Sequence, residues 1–253
     1  LVVPSVAAAV APPLAPVYAH GPRANRVIAI TIDDGFRPQV CIDMARTLIR
    51  SGVTATWFPV GRNVARWPRT WRWIASRFPV GNHTYTHSIL SGNTTRWIRK
   101  EIGQGARVVL RVTGREPARV FRPPGGVVTD RVRQVAAELG WPIVTWDTSD
   151  ADTSIGASSS AMLGAALRGT RGSILLMHCN WSWSAALLPR IIAGYRARGY
   201  RFVTVTRLLG LDPTPSPTPS PSPGPTPSPS PGTSPAPSPS AGPSPSPGPS
   251  GSA

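Results

Sequence analysis

The stretch Val27-Ile28-Ala29-Ile30-Thr31-Ile32-Asp33-Asp34-Gly35 joins a short apolar run to two adjacent carboxylates. The apolar run predicts a buried strand, and the carboxylates stand where that strand ends. Barrel enzymes assemble their chemistry at the carboxyl ends of their strands. Two neighbouring buried carboxylates repel each other unless a positive charge lies between them. Asp33 and Asp34 therefore predict a bound cation.

Histidines are the other expected ligands of this cation. The chain has four of them, and two, His83 and His87, are four residues apart. If this segment is one helical turn, that spacing places both imidazoles on one face. One carboxylate and two imidazoles form a three-ligand site with positions left open for water and substrate. Such a site is typical of catalytic rather than structural zinc.

Strand and helix patterns alternate along the rest of the chain. Predicted strands cover residues 53–60, 118–121, 142–146, 172–177 and 200–205. Predicted helices cover residues 38–51, 61–77 with an interruption near Pro68, 94–112, 129–139, 157–167 and 185–198. This alternation predicts an α/β fold with a mainly parallel sheet, most simply a barrel.

The two ends of the chain differ in composition from the middle. Residues 1–22 form an apolar leader that resembles the remnant of a secretory signal, with Val17-Tyr18-Ala19 at the cleavage spacing. A disordered apolar leader is the alternative. Residues 211–253 are rich in Pro, Ser, Thr and Gly, and they predict a disordered tail with polyproline II character. The catalytic domain is expected at residues 23–210, in an exported protein without a transmembrane segment.

Charge and cysteine content narrow the classes of partner. The net charge of +16 comes almost wholly from arginine, since Lys100 is the only lysine. The arginines are scattered and no nucleic-acid motif is present, which argues against nucleic-acid binding. A basic surface favours anionic partners such as cell-wall polymers. Cys41 and Cys179 are compatible with one disulfide in an oxidising compartment, and two free cysteines are the alternative.

Five separated motifs occur in a characteristic order. They are TIDDG at residues 31–35, HTYTH at 83–87, RPPGG at 122–126, DTSDA at 147–151 and LLMH at 175–178. In this order they resemble TFDDG, H[ST]xxH, RxP[YF]G, DxxDW and LxxH of the polysaccharide deacetylase family, carbohydrate esterase family 4. The resemblance spans about residues 27–209.

The resemblance implies a fold and a cofactor. The fold would be a distorted (β/α) barrel of about seven or eight strands. Asp34, His83 and His87 would bind a divalent metal ion, commonly Zn²⁺, with Co²⁺ or another divalent ion as the alternative.

The resemblance also implies catalytic roles. Asp33 would be the general base and His178 the general acid in hydrolysis of an acetyl group on a sugar. Arg122 would hold Asp33 in its ionised form, and Asp150 would do the same for a protonated His178. A neighbouring anion raises the pKa of an imidazole, which supports the second pairing.

Two positions depart from the family pattern. Gly125 replaces an aromatic residue, but its expected oxyanion role uses the backbone N–H. Ala151 replaces a tryptophan that would wall the acetyl pocket, a gap that Trp146, Trp181 or Trp183 could fill. The candidate substrate contacts are Leu176, Trp181 and Trp183. For the two tryptophans, plain packing is the alternative.

The preferred interpretation is a secreted or wall-associated, monomeric, metal-dependent deacetylase. Its substrate would be an N-acetylated polysaccharide, either peptidoglycan or a chitin-like polymer. One alternative is an esterase that removes O-acetyl groups from xylan or wall glycans. Another is a wall-binding protein without turnover, an interpretation motivated by Gly125 and Ala151.

Overall fold

The computed structural model of the protein describes residues 13–154 and 156–212. Most of the predicted tail at residues 211–253 lies outside these described residues, as do residues 1–12 of the predicted leader. No helix in the described part of the chain is long and apolar enough to cross a membrane.

The structure follows the predicted alternation of strands and helices. The strands are β1 (Val17–Tyr18), β2 (Val27–Asp34), β3 (Thr56–Pro59), β4 (Ile143–Val144), β5 (Thr148–Ser149), β6 (Ser173–His178) and β7 (Arg201–Phe202). The helices are α1 (Pro38–Arg50), α2 (Gly61–Arg66), α3 (Pro68–Ala75), α4 (Thr95–Thr113), α5 (Asp130–Glu138), α6 (Ser159–Ala166), α7 (Ser182–Ala197) and α8 (Val205–Leu208). The predicted α/β fold is confirmed.

The central strand is β2, which is buried on both faces, as expected for a strand in a parallel sheet. It pairs in parallel with β3, β6 and β7, and β5 pairs with the outer edge of β6. In this register Asp33 lies beside Phe58 on β3 and beside His178 on β6. The carboxyl ends of three strands therefore meet at the Asp pair.

Isolated bridges continue the sheet toward a barrel. Parallel bridges join Trp57 to Val80, Asn82 to Phe121, and Phe121 to Ile143 of β4. The predicted strand at 118–121 is thus reduced to single bridges. The predicted strand at 200–205 is also longer than the observed β7. The strand ends early because Thr204 caps α8 by accepting a hydrogen bond from the Arg207 N–H.

Residues 15–21, which fall within the predicted leader at residues 1–22, pack into the domain. Ala15 is 2% exposed, and β1 pairs in parallel with β4. The Gly21 N–H donates to the Gly172 carbonyl at 2.8 Å. The cleavage predicted after Ala19 would remove β1, so this stretch is better described as part of the fold.

The two cysteines form a disulfide. Cys41 lies in α1 and Cys179 directly follows β6, with their Cα atoms 4.8 Å apart. The bond links positions 138 residues apart in sequence. It therefore ties α1 to the strand end that carries His178.

Candidate active site

The two carboxylates at the end of β2 reach the same histidine. Adjacent side chains of a regular strand point to opposite faces, but Asp34 leaves the extended conformation with φ 76°. The Nε2 atom of His83 lies 3.7 Å from Asp33 Oδ2 and 3.4 Å from Asp34 Oδ1. The turn at Asp34 thus lets both acids face one site.

Three predicted metal ligands come together here. The ligand atoms of Asp34, His83 and His87 lie within 4.8 Å of one another. His87 Nε2 is 3.1 Å from Asp34 Oδ1. That oxygen is buried and has no hydrogen-bond partner among the residues that the structure describes. An unpartnered carboxylate oxygen beside two imidazoles is a donor set that suits a divalent metal.

The histidine segment is not the helical turn that the spacing suggested. Thr84 and His87 have positive φ angles of 63° and 68°, which no helix contains. Instead, Glu101 of α4 accepts hydrogen bonds from the Tyr85 N–H at 3.2 Å and the Thr86 N–H at 2.8 Å. The two imidazoles therefore converge because a buried carboxylate orders the turn between them.

Hydrogen bonds also orient the ligands themselves. His83 Nδ1 lies 2.7 Å from the Arg122 carbonyl oxygen. Because a carbonyl can only accept, Nδ1 donates, and in the neutral ring the lone pair of Nε2 faces Asp34. Asn180 Nδ2 donates to Asp34 Oδ2 at 2.6 Å. Sequence reasoning missed Asn180, whose only signal was its position two residues after His178.

Asp34 is held in its ionised form. Burial alone would raise the pKa of its carboxyl. The imidazoles of His83 and His87, which lie 3.4 and 3.1 Å from its Oδ1, together with the charge of His178, outweigh burial and lower this pKa well below its usual range. A carboxylate that stays anionic inside the protein favours a cation at this position.

Arg122 makes the predicted contact with Asp33. Its fully buried guanidinium donates from Nη1 to Asp33 Oδ1 at 2.7 Å and to Thr31 Oγ1 at 2.9 Å. Two further bonds reach the carbonyls of Val144 and Thr145 at 3.1 and 3.0 Å. Burial lowers the pKa of Arg122, and Asp33 offsets this in part. Asp33 is therefore held through Oδ1, and its Oδ2 faces His83.

The predicted contact between Asp150 and His178 is not made, and Asp152 takes this place. His178 Nδ1 lies 2.8 Å from Asp152 Oδ1, and the His178 N–H donates to Asp152 Oδ2 at 2.9 Å. The chain turns at Ala151, which has φ 53°, so the second acid reaches the imidazole. Asp150 instead contacts Ser184 Oγ at 2.9 Å.

The environment of His178 favours its charged form. Burial alone would lower the pKa of this imidazole. The hydrogen bond and charge of Asp152, with the charges of Asp33 and Asp34, raise the pKa to about 9. His178 therefore carries a proton at neutral pH.

The two predicted tryptophans stack on each other beside this pair. The rings of Trp181 and Trp183 have centroids 4.7 Å apart and planes 8° apart. Trp183 is 43% exposed, and its Nε1 donates to the Asp152 carbonyl at 3.3 Å. Both rings line a cavity of about 450 Å³ that also touches Asp152 and Met162. Leu176 is buried in β6.

Of the two departures from the family pattern, Gly125 is the one that its surroundings explain. Gly125 has φ 65°, and a Cβ atom there would lie 3.1 Å from Ile89 Cδ1. Trp146 packs against Gly126, where a Cβ would approach its ring to 2.8 Å. Trp146 thus lies against the 122–126 motif. A glycine at residue 125 suits both the left-handed backbone and the neighbouring isoleucine.

Comparisons with known proteins identify relatives of this chain. The family model described as polysaccharide deacetylase matches residues 20–144. Peptidoglycan-N-acetylglucosamine deacetylase PgdA of Listeria monocytogenes is 33% identical over 192 residues, which is 74% of this chain but only 40% of that relative. A peptidoglycan-N-acetylglucosamine deacetylase of Bacillus cereus is 30% identical over 194 residues, covering 74% of this chain and 90% of that relative.

A solved structure shares the fold. It is a mutant of a carbohydrate esterase family 4 pseudoenzyme with restored enzymatic activity, and it is 26% identical to this chain. The TM-score is 0.73, with 80% of this chain and 73% of that chain covered. Because a pseudoenzyme has this fold, the side chains of the site must carry any argument about turnover.

Proposed function

This chain belongs to the polysaccharide deacetylase family, carbohydrate esterase family 4, and we propose that it is a metal-dependent hydrolase that removes N-acetyl groups from a cell-wall polysaccharide. The observation that carries this proposal is the cluster of Asp34, His83 and His87 beside Asp33, whose neighbour on β6 is His178. Both named bacterial relatives are peptidoglycan deacetylases, which supports peptidoglycan as the substrate. We expect a secreted or wall-associated monomer.

The residues at the cluster fit a divalent metal ion, with Zn²⁺ as the first choice. Within the described part of the chain, Asp34 Oδ1 is buried without a hydrogen-bond partner, and His83 presents Nε2 because its Nδ1 is engaged by a carbonyl. When bound, such an ion would acidify water and polarise the acetyl carbonyl. Co²⁺ accepts the same ligand types and is a useful substitute in experiments.

Asp33 would act as the general base. Arg122 occupies its Oδ1, so Oδ2 is the oxygen that faces the metal cluster and would accept a proton from the attacking water. A carboxylate placed in this way contributes by general base catalysis. Arg122 would keep it ionised and correctly oriented, since one guanidinium fixes both its charge and its direction.

His178 would act as the general acid. Amide hydrolysis requires a proton on the departing nitrogen, and an imidazolium can supply it. Asp152, rather than Asp150, would stabilise the imidazolium by accepting a hydrogen bond from its Nδ1. The remaining ring nitrogen, Nε2, would donate to the amine.

The remaining predicted site residues would contact the substrate. The Gly125 backbone N–H would donate to the developing oxyanion. The exposed Trp183 ring would offer a stacking surface for a sugar next to the acid, together with Trp181. Leu176 would contribute apolar packing from β6.

Acetate release tests the proposal. Purified protein with added Zn²⁺ or Co²⁺ should release acetate from peptidoglycan or chitooligosaccharides and little from acetylxylan. Asp33→Asn should lower kcat at least about a hundredfold, in the range of general base catalysis, while metal binding persists. His83→Ala should lose the metal, because it removes a ligand.

Other outcomes would identify the alternatives. Release from acetylxylan alone would indicate an O-acetyl esterase. No release from any polymer, with sedimentation of the protein on cell walls, would indicate a binding protein. Equal metal loss in Asp33→Asn and His83→Ala, measured by elemental analysis, would contradict the separate roles of the two residues.

A further inference from the structure

A buried acid that the proposed reaction leaves unused lies behind His178. Asp150 has no exposed surface, and its Oδ2 lies 2.9 Å from Ser184 Oγ. The same Ser184 Oγ lies 2.9 Å from Asp152 Oδ2. Asp152 Oδ1 then lies 2.8 Å from His178 Nδ1. These four side chains form one continuous hydrogen-bonded line from Asp150 to His178.

The number of protons on this line is constrained by chemistry. A serine hydroxyl carries one proton, and an ionised carboxylate carries none. If both acids were ionised, Ser184 could donate to only one of them. The other oxygen would then face Ser184 Oγ at 2.9 Å without a proton between the two atoms. Protonation of one of the two acids supplies the missing proton.

The remaining contacts show which acid carries this proton. Asp152 accepts from the Nδ1 and the backbone N–H of His178, at 2.8 and 2.9 Å. Among the described residues, the only other hydrogen bond to the Asp150 carboxyl is a weak one from the Asp152 N–H at 3.4 Å. A negative charge is better stabilised where more donors and a cation face it. The charge therefore belongs on Asp152 and the proton on Asp150.

The charged groups around Asp150 agree with this assignment. Asp152 and His178 are the ionisable side chains that act on its carboxyl. The neighbouring β5 and α6 contain no ionisable residue, and α7 contributes the neutral Ser184. Burial, followed by the charge of Asp152, raises the pKa of Asp150 to about 7. At mildly acidic pH, the neutral form is therefore favoured.

We propose that Asp150 is a positioning residue that acts as a neutral acid. It donates a hydrogen bond to Ser184, Ser184 donates to Asp152, and Asp152 accepts from Nδ1 of the protonated His178. This role rests on the proposed function, in which His178 is the general acid. Only hydrogen bonds are involved, and the Asp150 proton stays in place during turnover. The line restrains the Asp152 carboxylate from rotating away from the imidazole.

The protonation state can be measured without turnover. In the metal-free full chain at pH about 6, an ordinary aspartate with a pKa of about 3.9 is ionised. The assigned carboxyl carbon of Asp150 should show the protonated form by NMR at this pH. Asp147, which forms an ion pair with Arg23 at 2.8 Å, is the internal control for the ionised carboxylate signal. An ionised Asp150 in the same sample would overturn the proposal.

Kinetics of matched variants test the positioning role. Asp150→Asn keeps a donor toward Ser184 and should retain kcat at pH about 6 within about threefold, whereas Asp150→Leu should lower kcat about tenfold with little change in KM. Ser184→Ala, which breaks the line without changing Asp150, should resemble Asp150→Leu. Equal losses in Asp150→Asn and Asp150→Leu would contradict the role. If no variant and no parent protein releases acetate, the proposed function fails, while the NMR result on Asp150 still stands.

Discussion

The two adjacent acids of β2 differ because distant side chains surround them differently. Asp33 Oδ1 is paired with Arg122 at 2.7 Å. Asp34 Oδ1 faces His83 and His87 at 3.4 and 3.1 Å. The carboxyl groups are chemically identical, so the backbone turn at Asp34 and these neighbours separate a candidate base from a candidate ligand. Exchanging the neighbours of either acid should therefore change its role.

The pairing of Asp152 with His178 predicts a pH dependence. A general acid works only while protonated, so a pKa of about 9 would keep kcat high until the pH rises toward 9. Asp152→Asn removes the anion and should move this alkaline limb at least about one unit lower. Measuring kcat against pH checks this expectation. An unmoved limb would show that Asp152 does not set the pKa of His178.

The contact between Asp152 and His178 also makes the free energy of unfolding depend on pH. The pKa of His178 is raised from 6.5 to about 9 in the folded protein. Its contribution to the free energy of unfolding is therefore fully present below pH 6.5 and is lost as the pH rises through about 9. Asp152→Asn should show a smaller loss, because only the charges of Asp33 and Asp34 would still raise the pKa of His178, and chemical denaturation at pH 6 and pH 9 would reveal the difference.

At the scale of elements, α4 orders the turn that carries two metal ligands. Glu101 is buried and bonds the Tyr85 and Thr86 N–H groups. Glu101→Ala should weaken Zn²⁺ binding about ten- to a hundredfold, as expected when support behind metal ligands is lost. The matched control is Glu138→Ala, an acid that forms a surface ion pair with Arg99. Calorimetric titration that finds equal affinities in both variants would contradict this role for α4.

Elements with local signals could be predicted from the sequence. A helix is predicted to start at residue 129, and the Thr129 side chain caps α5 by accepting the Val132 N–H. Pro68 was expected to interrupt a helix, and α2 and α3 separate there. These features depend on residues within one or two turns of each other, so the sequence displays them directly.

Features set by tertiary contacts could not be predicted in the same way. The sequence placed three ligand residues in one cluster, yet a left-handed turn rather than a helix brings the histidines together. The contacts of Glu101, Asn180 and Ser184 depend on packing between elements far apart in sequence. Asp152 was missed because either acid around Ala151 could reach His178, and only the direction of the chain there decides between them.

At the scale of the whole molecule, segments far apart in sequence hold the sheet together. The Tyr18 carbonyl accepts the Thr145 N–H at 2.8 Å, just beyond β4. His20 forms an antiparallel bridge with Ser173 at the start of β6. Residues 17–20 therefore connect β4 with the start of β6, two strands that lie far apart in sequence. Composition alone suggested a leader, because an apolar strand and an apolar leader look alike.

Truncation tests whether this segment belongs to the fold. Among other contacts, a chain that begins at residue 23 loses three backbone hydrogen bonds, two accepted by the carbonyls of Pro16 and Tyr18 and one donated by the Gly21 N–H. Three hydrogen bonds at roughly 1 kcal/mol each amount to about 3 kcal/mol. For a domain of roughly two hundred residues, this should lower the melting temperature by about 6–12 °C. A chain that begins at residue 13 is the control, compared by circular dichroism under the same metal conditions. If both chains have the same melting temperature, residues 15–21 do not stabilise the domain, and the result supports the leader interpretation.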